Sequence, residues 1–342
     1  MSRWPSLPAI ALAFVALGLL LSRPPPVLGS EAGEAMAAAS PAPPVAMADA
    51  ASLTRAPVAG SANGAPAPGQ QDGSVRSSAF RPPPEDSIPR TQLGQMISLG
   101  EEIFRHPAQA APQFVGNRLA CSNCHIDAGR LANASPLWAA WVAFPAYRAK
   151  NGHVNTFAER IQGCFRYSMN GKAPPLGDKV LVALESYSAW LARGAPVGET
   201  LQGRGYPKLS KPASAPDYTR GEQVYQQRCV LCHGADGAGQ SAAGQMVFPA
   251  LWGAQSYNWG AGMESVTNAA GFVKANMPLG LGGSLSDQDA WDVAMFMDSH
   301  ERPQDPRFIG SVQETRERFH NSASSMYGRT VGGRLVGVGT GP

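Results

Sequence analysis

The sequence is poor in charged residues, and its longest apolar run is short. Charged side chains make up 15% of the 342 residues, and the formal net charge is only +3. So small a charge argues against a nucleic-acid-binding protein, which usually carries a strongly basic surface. The apolar run from Pro8 to Leu21 has 14 residues, whereas a membrane-spanning helix needs about 20. We therefore expect no nucleic-acid partner and no membrane span in the mature protein.

The same apolar run has the features of a secretory signal peptide. Arg3 gives it a short basic flank, and residues 27–29 offer a small-residue cleavage site. We predict a signal peptide over residues 1–29 and export to the periplasm. An uncleaved anchor is the alternative, and it would also place the body of the protein outside the cytoplasm.

Aromatic residues are missing from the following stretch until Phe80, and Ala, Pro, Gly and Ser dominate it. Such a composition cannot bury enough apolar surface to offset the entropy lost on ordering. We predict that residues 30–85 form a disordered Ala/Pro-rich linker.

Cysteine is also scarce, but four of the five cysteines fall in two Cys-x-x-Cys-His motifs. The motif residues are Cys121, Cys124 and His125, then Cys229, Cys232 and His233. In this motif the two thiols form thioethers with haem vinyl groups and the histidine binds iron. A zinc site would require further Cys or His ligands at matched spacing, and a redox-active dithiol would require a βαβ pattern around it. The sequence shows neither feature. We therefore predict two covalently bound haem c groups.

An internal repeat surrounds the two motifs. Gly100-Glu101 and Gly221-Glu222 each precede a motif, and each pair is followed by an aliphatic and an aromatic residue. Before the first motif, apolar residues recur at helical spacing; they are Leu93, Met96, Ile97, Ile103 and Phe104. These features predict the N-terminal helices of two cytochrome c-type domains.

Each copy also closes with a predicted helix. Apolar residues form a stripe between Val180 and Leu191, and Ser286 followed by Asp289 resembles a helix-capping box. The predicted fold is mainly α, with two cytochrome c-type domains in tandem. The predicted limits are 86–200 for the first domain, 201–215 for a linker, 216–302 for the second domain and 303–342 for a tail that wraps the surface.

The sixth iron ligand decides whether a haem carries electrons or catalyses a reaction. For the second haem, Met277 is the leading candidate because Pro278 forces it out of helical geometry. Met263 and Lys274 are the alternatives, and Met246 is expected to serve packing.

For the first haem, the informative residue is Cys164, which has no free cysteine left to pair with. A lone cysteine in an oxidising compartment is either buried or used. It could be a structural thiol or a thiolate ligand to the first haem. Met169, His153 and His106 are competing ligands.

The segment from Leu137 to Gly171 is preceded by Pro136, which completes Pro-Leu-Trp. It then contains Asn-Gly-His-Val-Asn-Thr-Phe and Glu-Arg-Ile-Gln-Gly-Cys-Phe-Arg-Tyr-Ser-Met-Asn-Gly. This segment resembles the dihaem thiosulfate dehydrogenases, which also act as tetrathionate reductases. The resemblance covers about residues 90 to 300, and its most specific part is the block from Cys164 to Gly171 with the order of the haem motifs.

The resemblance implies a division of labour between the haems. The first haem, with Cys164 as its distal ligand, would be the active site, and the second would pass electrons on with Met277 as its ligand. Arg160 and Ser168 match the family's substrate-binding positions. Arg148 is a looser match, because Lys150 could take its place.

The implied reaction couples two thiosulfate ions into tetrathionate, with a small cytochrome c or a similar protein as electron acceptor. Arginine suits the oxygens of these dianions, and a thiolate lowers a haem potential whereas methionine raises it. A transient S–S bond between Cys164 and substrate sulfur is a further hypothesis. The rivals are a dihaem electron-transfer cytochrome without catalysis, a dihaem peroxidase and a cytochrome that loads thiosulfate onto a carrier protein.

Overall fold

The computed structural model describes residues 80–242 and 245–340, and the described chain is mainly helical. The helices are α1 (Gln92–Arg105), α2 (Pro107–Ala110), α3 (Ile126–Gly129), α4 (Leu137–Trp141), α5 (Phe157–Gly163), α6 (Lys179–Leu191), α7 (Tyr218–Arg228), α8 (Val230–His233), α9 (Val266–Asn276), α10 (Asp287–Asp298) and α11 (Val312–Phe319). The antiparallel strand pairs are β1 (Ala146–Arg148) with β2 (His153–Asn155), β3 (Gln240–Ala242) with β4 (Gln245–Phe248), and β5 (Thr330–Val331) with β6 (Arg334–Leu335).

Two pairs of packed helices dominate the described fold: α1 packs against α6, and α7 packs against α10. The glycines of the sequence repeat lie where these helices cross. A Cβ atom at Gly100 would lie 2.1 Å from the carbonyl oxygen of Ala183, and one at Gly221 would lie 2.1 Å from that of Asp292. Only a residue without a side chain permits so close an approach of two backbones. The repeat therefore marks the same helix crossing in both halves of the described chain.

The first hydrophobic core lies between α1 and α6. Ile97, Ile103 and Phe104 are buried, as the periodicity of α1 predicts, and Tyr187 and Trp190 face them from α6. Leu93 is 59% exposed, so its predicted place in the apolar stripe is wrong. It belongs to the first turn of the helix, where the chain has not yet reached the core.

The second core lies between α7, α9 and α10. The predicted capping box is confirmed, because the Ser286 hydroxyl accepts from the Asp289 amide and the Asp289 carboxylate accepts from the Ser286 amide. The C-terminal tail does more than wrap the surface, since Tyr327 and Val336 are fully buried in this core.

The predicted signal peptide and the predicted linker up to residue 79 lie outside the described residues. From Phe80 onward the chain packs on the first domain: the Phe80 ring lies 5.3 Å from that of Trp138, and Arg130 donates a hydrogen bond to the Pro83 carbonyl. Within the part of the chain that the structure describes, no helix has both the length and the apolar character needed to cross a membrane.

Candidate active site

The first Cys-x-x-Cys-His motif holds its histidine in a defined orientation. Nδ1 of His125 lies 2.6 Å from the Ser135 carbonyl oxygen and donates to it. Burial lowers the pKa of His125 to about 4, so the imidazole is neutral at physiological pH. A neutral imidazole whose Nδ1 is used by a backbone carbonyl presents Nε2 to a metal.

The second motif repeats this arrangement. His233 ends α8, and its Nδ1 lies 2.9 Å from the Pro249 carbonyl oxygen. Burial lowers the pKa of His233 as well. Both histidines are therefore held as neutral, oriented ligands next to a pair of cysteines.

The side chains around the motifs fit haem better than a bare metal ion. Each cysteine of the motifs is an unbridged thiol, as thioether attachment requires. Across residues 80–242 and 245–340, no three His, Cys, Asp or Glu side chains cluster closely enough to hold a metal ion by themselves. A zinc site needs such a cluster. The two motifs are thus suited to haem c, in which His125 and His233 would bind the iron.

The structure brings Cys164 to the first motif. Burial, and then the neighbouring Cys164, raise the pKa of the Cys121 thiol well above its ordinary value and that of Cys124 to about 11. Cys164 opens a single π-helical turn, Cys164–Ser168, directly after α5. Such turns are frequent at functional sites. The placement supports Cys164 as a ligand to the first haem, which stays a prediction.

Of the competing ligands for the first haem, the methionine is buried and the two histidines are exposed. Met169 is fully buried in the first core. His153 is exposed and lies 3.2 Å from a Glu159 carboxylate oxygen, and His106 is also exposed.

A guanidinium group contacts the Cys164 sulfur directly. Nη1 of Arg160, one helical turn earlier, lies 2.9 Å from Sγ of Cys164 and donates to it. A hydrogen bond that involves a charged donor is stronger than one between neutral groups. Arg160 therefore joins the predicted iron ligand to the pocket described next.

A pocket of about 430 Å³ lies beside this pair and is strongly cationic. Arg148, Lys150, Arg160 and Arg204 line it, and none of the described residues that line it is acidic. Within the described ranges, none of these four cations forms an ion pair with a carboxylate. Four cations without anionic partners in one concavity make a site for anions.

Arg148 and Lys150 enter the pocket from the β1–β2 hairpin. The Lys150 ammonium donates to the Gly260 carbonyl oxygen and lies 3.9 Å from the centre of the Tyr167 ring. Burial, and then the nearby Arg307, lower the pKa of Lys150 to about 8. The sequence left Lys150 as a substitute for Arg148, and the structure places both at the pocket.

Arg204 was missed by the sequence analysis, which assigned its segment to a linker. The carbonyl groups on either side of it, those of Gly203 and Gly205, accept hydrogen bonds from the amides of Asn133 and Ser135 at 2.7 and 2.8 Å. These bonds fix the linker against the loop that orients His125. A basic residue between two glycines was the available signal.

Ser168, like Cys164, is a predicted site residue that does not line the pocket. It ends the π-helical turn, and its carbonyl oxygen accepts from the Asn117 amide at 2.9 Å. Its role in substrate binding stays a prediction.

The second haem's predicted ligand lies in the expected loop geometry. Met277 directly follows α9 with an extended backbone, φ −117° and ψ 148°. Lys274 is held by the Asp287 carboxylate at 2.9 Å and by the Leu285 carbonyl at 2.6 Å, which argues against it as a ligand. Met263 packs against both cores and Met246 against the first.

Two helical halves, each with a Cys-x-x-Cys-His motif and an oriented neutral histidine, define a c-type cytochrome. Family models agree with this class. Residues 100–197 match the model described as SoxA/TsdA, cytochrome c domain. Residues 216–297 match the model described as Cytochrome C oxidase, cbb3-type, subunit III.

Comparison with known proteins narrows the class. The chain is 59% identical to a thiosulfate dehydrogenase of Thiomonas intermedia (strain K12) over 258 residues, which is 75% of this chain and 82% of that protein. It is 51% identical to a thiosulfate dehydrogenase of Stutzerimonas stutzeri (strain A1501), over 77% of this chain and 86% of that one. The chain therefore belongs to the thiosulfate dehydrogenase family.

A solved structure shows the same likeness in three dimensions. It is the thiosulfate dehydrogenase (TsdBA) of Marichromatium purpuratum in its "as isolated" form, with a TM-score of 0.74 and 52% sequence identity. The match covers 78% of this chain and 59% of the other, so this chain spans less than two thirds of that protein's length.

Proposed function

We propose that this protein is a periplasmic oxidoreductase with two covalently bound haem c groups that couples two thiosulfate ions into one tetrathionate ion. The reaction forms one S–S bond and releases two electrons, with no net proton transfer. We propose that the electrons pass from the first haem to the second and then to a small cytochrome c. The predicted signal peptide and the predicted limits of the two haem domains, 86–200 and 216–302, belong to this proposal.

The cationic pocket beside Cys164 is the observation that carries the proposal. Thiosulfate is a dianion, and bringing two of them within bonding distance is opposed by strong repulsion. The pocket offers four cations that no described carboxylate neutralises, three of them guanidinium groups suited to forked binding of oxyanions. A plain electron carrier has no need of such a pocket.

The protein's own residues would prepare the substrate at this site. Arg160 contacts both the pocket and the Cys164 sulfur, so it can bind a thiosulfate oxygen close to the ligand thiolate. Arg148 and Lys150 can hold a second anion from the hairpin. His125 and Cys164 would hold haem c at this site, where it would supply a one-electron acceptor.

The proposed ligands set the direction of electron flow. A Cys164 thiolate would lower the potential of the first haem, and Met277 would raise that of the second. Electrons would then pass downhill from substrate oxidation to the second haem. We propose Ser168 as a further substrate contact on the family match alone.

The test is thiosulfate-dependent reduction of ferricyanide by the purified holoprotein, with tetrathionate measured as the product. We expect turnover with thiosulfate and formation of one tetrathionate for every two thiosulfate ions consumed. A holoprotein with both haems and no thiosulfate-dependent reduction would favour the alternative, a dihaem electron-transfer cytochrome without catalysis.

The Arg160→Ala variant tests the site itself. A hydrogen bond to a charged group contributes about 1.5–3 kcal/mol, and about 1.4 kcal/mol corresponds to a factor of ten. We expect kcat/KM to fall roughly 10- to 150-fold while both haems remain attached. Arg193→Ala, an exposed arginine outside the pocket, is the matched control and should leave kcat/KM unchanged.

A further inference from the structure

The side chain of Asn276 connects the two haem-binding halves of the protein. Asn276 is buried, and its Nδ2 donates two hydrogen bonds. One goes to the Phe272 carbonyl oxygen of its own helix α9 at 3.0 Å, and the other to the Asn133 carbonyl oxygen at 3.2 Å. The second bond spans 143 positions in sequence and reaches from the second half into the first.

On the side of the first haem, this bond ends in the loop that orients the proximal histidine. The Ser135 carbonyl oxygen in that loop accepts from His125 Nδ1 at 2.6 Å. The Asn133 and Ser135 amides are tied to the linker at Gly203 and Gly205. The acceptor of the Asn276 bond is therefore part of a loop whose backbone is held on several sides.

On the side of the second haem, the bond ends next to the predicted distal ligand. Asn276 is the last residue of α9, and Met277 follows it. Further bonds shape this loop, from the Met277 amide to the Val273 carbonyl and from the Gly283 amide to the Lys274 carbonyl, at 2.9 and 2.8 Å. The Asn276 amide is a hydrogen-bonded link from the helix end, where Met277 leaves α9, to the other half of the protein.

We propose that Asn276 is a positioning residue that holds Met277 on the second haem by fixing the end of α9 to the first-haem loop at Asn133. The inference rests on the proposed ligation of the second haem by Met277. Without the Asn276 amide, the helix end and the methionine can move away from the iron. The Met277–iron bond would weaken, and the potential of the second haem would fall.

The test uses the holoprotein with imidazole as a competing ligand. The sulfur–iron charge-transfer band of ferric His/Met haem reports Met277 ligation, and its loss on titration gives the imidazole concentration needed for displacement. In Asn276→Ala we expect displacement at about tenfold lower imidazole, which corresponds to about 1.4 kcal/mol. We also expect a lower midpoint potential for the second haem. Asn276→Asp keeps the shape but replaces the donor with an acceptor, so it should show the same shifts.

Two control variants separate positioning from general stability. Asn268→Ala removes an exposed amide from the same helix, whose bond goes to the local Gly262 carbonyl. Asn133→Gly keeps the carbonyl acceptor and tolerates the positive φ of 66° at that position. Both should bind imidazole like the wild type.

Unchanged imidazole displacement and potential in Asn276→Ala, even with a lowered melting temperature, would overturn the inference. So would a wild-type protein without the charge-transfer band. Thiosulfate-dependent reduction of ferricyanide by the wild type decides the proposed function separately. A wild type that turns over thiosulfate beside an Asn276→Ala variant with wild-type imidazole binding would reject this inference alone.

Discussion

At the scale of single residues, the contact between Arg160 and Cys164 joins the cationic pocket to the proposed iron ligand. The Arg160 guanidinium donates a 2.9 Å hydrogen bond to the Cys164 sulfur, and the same guanidinium lines the cationic pocket. An anion bound by Arg160 would weaken the hydrogen bond from Arg160 to the Cys164 sulfur. The sulfur would then have more electron density to donate to the iron. If both proposed roles hold, we expect substrate binding to shift the first-haem potential through this one side chain.

Replacing Cys164 should therefore change the spectrum, the potential and the activity together. In Cys164→Met we expect the low-spin thiolate signal in electron paramagnetic resonance to vanish and the first-haem potential to rise, within the roughly 0.8 V over which axial ligands tune haem. In Cys164→Gly we expect loss of nearly all thiosulfate oxidation. Both variants should keep two haems, because the thioether cysteines are untouched. Wild-type turnover in Cys164→Gly with unchanged spectra would make Cys164 a packing thiol.

Lys150 predicts a pH dependence of substrate binding. Its pKa is lowered from 10.5 to about 8, so the ammonium is charged below this pH and loses its charge as the pH rises through it. We expect the KM for thiosulfate to rise roughly tenfold above about pH 8, since one charged contact is lost. Lys150→Arg should flatten this rise because arginine stays charged. A wild-type KM that is constant from about pH 7 to 9.5 would contradict the prediction.

At the scale of elements, the two glycine-mediated helix crossings explain why the sequence repeats. Gly100 in α1 and Gly221 in α7 bring each helix against its partner with almost no space for a side chain. Each crossing places an aromatic residue of the repeat in a core, Phe104 in the first and Tyr225 in the second. The crossing thereby sets the position of the haem motif that follows it.

An added methyl group at such a crossing should destabilise the domain. In Gly221→Ala, the new Cβ would lie 2.1 Å from the Asp292 carbonyl oxygen, so the helices must separate. Overpacking of this kind costs about 1–3 kcal/mol, which thermal unfolding of the holoprotein should show as a lower Tm. Gly163→Ala is the matched helical control, because its Cβ would meet no described atom nearer than 3.9 Å. Equal Tm values in the two variants would contradict the prediction.

At the scale of the whole molecule, the sequence predicts features whose residues lie close together in the chain. The haem motifs, the capping box at Ser286 and the loop geometry of Met277 all depend on a few neighbouring positions. Two other features depend on contacts between distant segments. They are the position of Arg204 in the pocket lining and the hydrogen bond from Asn276 to Asn133. No local pattern encodes such contacts, so the structure was needed to find them. The same holds for Tyr327, whose burial depends on how the tail returns to the second core.

Haem content tests the molecule as a whole. Each motif has its own oriented histidine, bonded to Ser135 in one half and to Pro249 in the other, so each haem should attach without the other. The coupling of two thiosulfate ions releases two electrons, and two one-electron haems can accept both. We expect the pyridine haemochrome to give two haem c per wild-type chain, resistant to acetone extraction because the thioethers are covalent. The double variant Cys229→Ser, Cys232→Ser should keep the first haem alone. Its low-spin thiolate signal in electron paramagnetic resonance should be unchanged. A wild-type chain with a single haem, or with haem that acetone removes, would reject the two-haem assignment and with it the proposed path of the electrons.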